Sequence, residues 1–537
     1  MISTPRTRSR AKKAPFSDLL WLAIIGLLLQ AIWAWRLTHP SYFDAYYYAT
    51  NGQRLAAGYG FTEEVIWQFL DDPSGLPLPS HSYWMPLPSM LAAAGYTLVD
   101  SFRAAQLPFW FLSSLLPLFS YKLSWRLSGV RWQAWTAALL TASGGFYNTF
   151  WSQPSTFAPF AWLGAGCLWL MATALQTKRQ RDWFFVGVLA GLAHLTRADG
   201  ILLLMVAGWL WFVDTCMTRW RDSSSDGTSS TRNMQHATNN LVAPLLLLLG
   251  YLIVMGGWFW RNWLVFGRPL STAGTQTIFL TSYDDLFAYG RTMTAADYFA
   301  WGWDNILWSK LVALSEAGLL LAAVLSLIFL TPFVIWGGWR WRKRPLLRPF
   351  FWYGTLLILA MTLLFTFPAG RGSLLHSSVS LWPWFMVLAA AGVNEAIEWR
   401  NRRWPPPNPE QTKRVYAGIF VTLALVTTLT IGWLRTPDSG HVQLFRQIGA
   451  ELPETAVVMV GNAPGFYYQT GLPAVTVPNE PPDVLLQAAE RYGVTHLVLD
   501  RDTPWPLLEL YQGEAQAVQI ELLTTVEDAN LYALRYE

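Results

Sequence analysis

Residues 39–88 read HPSYFDAYYYATNGQRLAAGYGFTEEVIWQFLDDPSGLPLPSHSYWMPLP. An apolar run, Leu19 to Trp35, comes just before them. The stretch opens with one acid, Asp44, among Tyr42, Tyr46, Tyr47 and Tyr48. It closes with His81, Tyr83, Trp84, Pro86 and Pro88. A polar segment of this length behind a run long enough to cross a bilayer reads as the first extracytoplasmic loop of a membrane protein. Within it, residues 44–57 have helical character, and Gly58 and Gly60 end the helix. Residues 86–99 are apolar but short for a span, so a helix in the membrane interface, or re-entering it, is expected there.

The whole chain agrees. Of its 537 residues, 53% are hydrophobic and only 13% charged, which excludes an ordinary soluble protein. Tryptophan, which favours the membrane–water boundary, occurs 32 times. The net charge of +4 says little, and no nucleic-acid partner is expected. The two cysteines, Cys167 and Cys216, lie in or beside apolar runs and read as small buried hydrophobes rather than a disulfide or metal framework.

Residues 1–15 form a basic N-terminus, expected in the cytoplasm. No small-residue cleavage site follows before Trp33, so the first apolar helix is expected to stay uncleaved. From 16 to 436 the chain predicts about eleven spans, with the first outer loop at 37–101 and a single span at 311–336. The basic clusters at 6–13, 178–181, 340–348 and 400–414 all fall on the inner side of this topology. An odd span count leaves the C-terminus outside. Residues 437–537 change character: Ala456–Val460, Thr495–Leu499 and Asn530–Arg535 look like strands, and Asp483–Tyr492 like an amphipathic helix. The expected fold class is an all-α polytopic membrane protein with a small extracytoplasmic α/β domain. The expected site is an integral, bacterial-type plasma membrane, with active site and tail outside.

The topology gathers Asp44, Arg54, Glu63, Glu64, Asp71, Asp72, His81, Gln153, Arg197, Asp199, Arg261, Asn262, Arg371 and His376 at the outer face. Ionisable groups at span ends are costly and often functional. One prominent acid with several arginines suits sugar transfer from a lipid phosphate. A carboxylate takes the proton of an attacking hydroxyl, cationic groups hold the leaving phosphate, and aromatic rings suit the faces of a sugar.

The chain resembles the GT-C class of integral membrane glycosyltransferases, specifically bacterial relatives of the protein O-mannosyltransferases and the lipid A aminoarabinose transferases. Four elements carry the resemblance in order, over about 16–395: FDAYYYATNGQRLAAGYGF, HSYWMPLPSMLAAAG, GLAHLTRADG and RNWLVFGRPL. It implies an inverting transferase that uses a polyprenyl-phosphate sugar and passes the sugar to a lipid, glycan or protein acceptor, among membrane lipids. Asp44 stands at the position of the family's catalytic acid. Arg197, Arg261 and Arg371 are the implied phosphate contacts, and Arg54, His81, Tyr83 and His376 complete the substrate-binding candidates. The chain departs from the pattern in having one acid where the O-mannosyltransferases have two adjacent ones. It also lacks the double proline after Tyr83, and it carries GRGSLLHSSVSLWPWF in place of an Arg-Tyr element.

Blander roles compete. Asp44 suits a helix cap or first-turn acid, and Asp71-Asp72 and Asp284-Asp285 suit solvated turns. His194 suits a packed histidine, and Arg261 an interface anchor. No spacing demands a metal, although related oligosaccharyltransferases use one, and no cofactor is expected. VGNAPGFYYQTG in the tail lacks the GxGxxG fingerprint of a dinucleotide site. The alternative function is a transporter or flippase for a lipid-linked or small solute. Transporters usually show related halves and mid-membrane charges, whereas this chain shows no internal repeat and groups its charges at one face.

Overall fold

Helix α1, Phe16–Arg36, buries only a narrow stripe through Leu22, Gly26 and Gln30 and leaves Trp21, Leu28, Ile32 and Trp35 exposed. A helix apolar on its exposed faces belongs in lipid. The computed structural model describes residues 13–225, 230–367, 372–435, 439–515 and 517–536.

The polar stretch that follows is built of α2 (Phe43–Ala56), β1 (Thr62–Glu63), β2 (Val65–Ile66), β3 (Leu78–Pro79) and α3 (Leu87–Tyr96). Strands β1 and β3 pair antiparallel. Helix α3 has 10 residues, about 15 Å of rise, too little to cross a bilayer. It exposes Met90, and Leu98 and Val99 just beyond it are exposed too, as an interfacial helix does.

Next come α4 (Phe102–Ser128), α5 (Arg131–Ser143), α6 (Phe157–Thr177), α7 (Gln180–Thr196), α8 (Ile201–Ser225) and α9 (Ser230–Phe266). Helices α7 and α9 cross closely. A Cβ added at Gly187 would lie 2.0 Å from the Leu247 carbonyl oxygen, and one at Gly250 would lie 2.1 Å from that of Phe184. Small residues facing each other let two backbones approach in lipid, where no hydrophobic force drives helices together.

The segment after α9 carries α10 (Thr272–Gln276) and α11 (Ala295–Ala300). The single span expected at 311–336 is interrupted. Helix α12 (Trp303–Leu320) runs into a π-turn at Leu321–Leu325, and Leu327 and Ile328 take φ values of +50° and +62° before α13 (Thr331–Trp341) resumes. Pro332, near the start of α13, has no N–H to carry the ladder through the break. The bundle closes with α14 (Arg348–Leu364), α15 (Ser373–Ser377), α16 (Trp382–Arg403) and α17 (Pro409–Leu434).

Among the described residues, 8 helices are long and apolar enough to cross a membrane. The other three expected spans exist as α4, α5 and α7, but α5 has 13 residues and α7 has 17, and much of α4 is buried in the bundle. A helix enclosed by protein needs neither a lipid-facing surface nor full bilayer length. Cys167 is buried, whereas Cys216, near the end of α8, is exposed rather than buried as expected. Ion pairs Arg131–Asp18, Lys178–Asp214 and Arg340–Glu395 gather at one end of the bundle. Asp44 and the α7–α8 turn lie at the other.

The tail comprises α18 (Ser439–Glu451), β4 (Val458–Val460), α19 (Ala463–Thr470), β5 (Ala474–Thr476), α20 (Pro482–Arg491), β6 (His496–Leu499), α21 (Leu508–Tyr511), β7 (Ile520–Val526) and β8 (Ala529–Leu534). Its sheet runs β2-β5-β4-β6-β8-β7. The edge strand β2 comes from the first polar stretch and pairs parallel with β5, Val65 opposite Ala474. Ile66 and Phe69 enter one core with Met459, Val475 and Leu497. Tyr47 and Trp67 enter another with Phe445 and Phe466. The tail is therefore welded to the first loop rather than appended to it.

Candidate active site

Asp44 is the second residue of α2, whose preceding residue, Tyr42, is extended and makes no side-chain cap. A first-turn acid enjoys the positive end of the helix. Here it also faces a cavity of about 400 Å³. Burial pushes the Asp44 carboxyl up to about 6, against the pull of the Arg197 guanidinium and of its own backbone N–H. At neutral pH it is mostly ionised and close to the balance point that suits a general base.

Arg197 reaches the same cavity from the turn between α7 and α8. Its Nε and Nη2 donate to the two carboxylate oxygens of Asp199, each at 3.2 Å. Its Nη1 donates to Thr156 Oγ1 at 3.4 Å. The Ser377 hydroxyl donates to Asp199, tying α15 to the pair. A bidentate carboxylate fixes the plane of a guanidinium and leaves its remaining N–H groups for another anion. His376 lies beside them, its Nε2 4.0 Å from Asp44 Oδ2.

One wall of the cavity is aromatic. Trp67 and Trp84 stack at 4.0 Å with 9° between planes, and Tyr83 stands edge-on to Trp67 at 4.9 Å. All three rings line the cavity with Tyr48. The opposite wall is aliphatic, from Ile201 and Leu202 of α8 and Ala360, Met361 and Leu364 of α14. A carboxylate, a guanidinium, flat rings and an oily flank thus surround one hollow.

Asp44, Tyr83, Arg197 and His376 come together there. Arg54, His81 and Arg261 do not. Arg54 donates to the Thr62 carbonyl at 2.9 Å, to Thr62 Oγ1 at 3.0 Å and to Tyr467 OH at 3.1 Å, and pairs with Glu64 at 3.5 Å. His81 is fully buried, with its ring nitrogens on Ser80 at 2.8 Å and Ser89 at 3.0 Å, and burial holds it neutral with its pKa down to about 3. Arg261 donates to the Phe61 and Ser80 carbonyls at 3.2 and 2.9 Å. All three clamp the first loop. Arg371 lies outside the described residues. His194 is packed, as its apolar setting suggests, with Nδ1 2.5 Å from Tyr251 OH.

Sequence reasoning passed over Thr156 and Trp67, and gave Trp84 and Asp199 no role. Asp199 had a signal, its place two residues after Arg197 in TRADG. Among the described residues, no three His, Cys, Asp or Glu groups converge as metal ligands.

A family model described as dolichyl-phosphate-mannose-protein mannosyltransferase matches residues 80–224, a segment holding Tyr83, Thr156, Arg197 and Asp199. No match is found among curated proteins. Two solved structures of ArnT from Cupriavidus metallidurans resemble the chain along nearly its whole length. The form bound to undecaprenyl phosphate matches with a TM-score of 0.55 and 13% identity, covering 97% of this chain and 98% of that one. The apo form matches with a TM-score of 0.55 and 14% identity, covering 96% and 98%. The chain has the GT-C fold of these structures.

Proposed function

We propose that this chain is a membrane glycosyltransferase that moves a sugar from a polyprenyl-phosphate donor to an acceptor hydroxyl at the extracytoplasmic face, with inversion. The observation that carries the reading is the meeting of Asp44 and Arg197, from α2 and the α7–α8 turn, in one cavity with an aliphatic flank. The ArnT structure bound to undecaprenyl phosphate supports the donor class.

In this reading the anomeric carbon sits between the two groups. Asp44 accepts the proton of the attacking hydroxyl. The new glycosidic bond forms on the face opposite the departing phosphate, which is what inverts the centre. Arg197 offers its free N–H groups to the phosphate as charge develops on the leaving oxygen. The Trp67–Trp84 wall holds the sugar by its apolar face, and the isoprenoid lies along α8 and α14. Neither inversion nor the reading depends on a metal ligand from this chain.

The test is incubation of purified protein with a panel of polyprenyl-phosphate sugars, reading carrier release by mass spectrometry. Asp44→Asn should lower transfer by about 10²–10⁴-fold while the protein still folds and binds donor. Full activity in that variant overturns the assignment of the base, and a wild-type protein inert with every donor overturns the transferase reading.

A further inference from the structure

Thr156 stands at the N-cap of α6 yet makes no cap: its side chain accepts no hydrogen bond from the helix N-terminus. Threonine there ordinarily spends its oxygen on the first turn. Here the oxygen faces two other partners. It accepts from Arg197 Nη1 at 3.4 Å and stands 3.2 Å from His376 Nδ1. A guanidinium has donors and no acceptor, so Arg197 leaves the hydroxyl proton free to go to Nδ1. An imidazole that accepts at Nδ1 carries its proton on Nε2. That nitrogen is the one 4.0 Å from Asp44 Oδ2. Phe157, the next residue, stacks on the His376 ring at 4.4 Å with 22° between planes, which fixes the direction of the Nε2–H.

We infer that Thr156 and His376 are positioning residues for Asp44: the threonine hydroxyl sets the tautomer of His376, whose Nε2–H then steers the carboxylate toward the acceptor hydroxyl. This rests on the transferase reading above and assigns His376 to the base rather than to the substrate. Catalytic contacts tighten as substrate binds, and a small rotation of Asp44 closes the 4.0 Å gap. Among the described residues, the charged and titratable groups around the pair are Asp44 and Tyr48 from α2 with Tyr42 just before it, Arg197 and Asp199 from the α7–α8 turn, Tyr83 from the first loop and Tyr283 from the segment after α10. A donor aimed at a carboxylate favours its ionised form. Loss of that donor therefore raises the pH at which Asp44 becomes a base.

The experiment has two arms. In the first, protein labelled with ¹⁵N-histidine in lipid nanodiscs is read by NMR, the His376 signals being assigned by their loss in His376→Gln. The expected state is Nε2–H with a hydrogen-bonded Nδ1, and Thr156→Val should move the Nδ1 resonance while Thr156→Ser leaves it in place. An Nδ1–H tautomer, or an Nδ1 resonance unmoved by Thr156→Val, overturns the inference. In the second arm, the acidic limb of kcat/KM should move up by about one pH unit in Thr156→Val and His376→Gln, a tenfold loss below the limb. The donor KM should stay constant in His376→Gln, which leaves the partners of Arg197 in place, and Thr156→Ser should restore the profile. A raised donor KM with an unmoved limb overturns the inference and makes His376 a donor contact. The resonances need no turnover, so a wild-type protein silent with every donor counts against the transferase reading alone, and the first arm still decides whether the pair is set as described.

Discussion

Asp199 holds Arg197 by both carboxylate oxygens, at 3.2 Å each, across a single intervening residue. The pair turns a long, flexible cation into a fixed one at the rim of the cavity. Asp199→Asn keeps the shape and loses half of the grip. The expected result is a donor KM raised by about tenfold, the scale of one charge-assisted hydrogen bond, with a smaller change in kcat. Donor titrations on the purified variant check it.

Asp44 carries a pH signature. With its carboxyl pushed up to about 6, Asp44 is protonated below that value and ionised above it, and in the proposed role it is idle in the first state. Activity should rise with pH through an inflection near 6 and level off above it. A pH–rate profile of kcat/KM with no inflection between pH 5 and 7 would remove Asp44 from the role of base.

Glu63 is buried at 3% exposure and accepts from Asn51 Nδ2 at 3.4 Å, and burial pushes its carboxyl up to about 8. Its ordinary value is 4.5. A carboxyl raised on folding contributes its stability fully below the unfolded value and loses it as pH rises through the folded one. Glu63→Gln should therefore flatten the pH dependence: little change in Tm at pH 5, and a higher Tm than wild type at pH 9. Thermal melts at the two pH values decide.

Arg54 separates a structural cation from a binding one. Its bonds run to Thr62 and to Tyr467 of α19, so Arg54→Ala should cost about 1–3 kcal/mol and lower the Tm. Donor KM should be unchanged in the fraction that remains folded. A selective rise in donor KM at constant Tm would place Arg54 at the substrate.

The α7–α9 crossing should be intolerant of a single methyl group. Gly187→Ala meets the Leu247 carbonyl oxygen, whereas Gly256→Ala on α9 meets nothing within 4 Å. The first should destabilise by about 1–3 kcal/mol, and the second should be neutral or slightly stabilising through helix propensity. Paired melts in one detergent compare them.

Much of this was readable from residues alone, for reasons that differ by element. Asp44, Tyr83, Arg197 and His376 share a cavity, and all four stand at the ends of apolar segments, where a topology drawn from hydropathy puts them on one face. The same logic also collected Arg54, His81 and Arg261, because membrane depth sorts charges by leaflet and not by what they touch. Those three meet backbone carbonyls and hydroxyls, Arg54 also reaching Glu64 and Tyr467 of α19, partners that no side-chain pattern announces. Helix α5 was legible as a segment but short as a span, since burial among other helices relaxes the length rule. Strand β2 left almost no trace: Val65-Ile66 is two residues long, and its pairing with Ala474 is a contact between distant parts of the chain.

That pairing has a consequence for biogenesis. Translation delivers Val65 long before Ala474, so the first loop waits on the membrane surface with β2 unpaired on that side. Trp67, which forms part of the cavity wall, follows directly on β2. The strand that leads into this wall residue thus gains its neighbour only once Ala474 has been made, and a chain stalled or clipped before that residue would hold Trp67 without the sheet that steadies it.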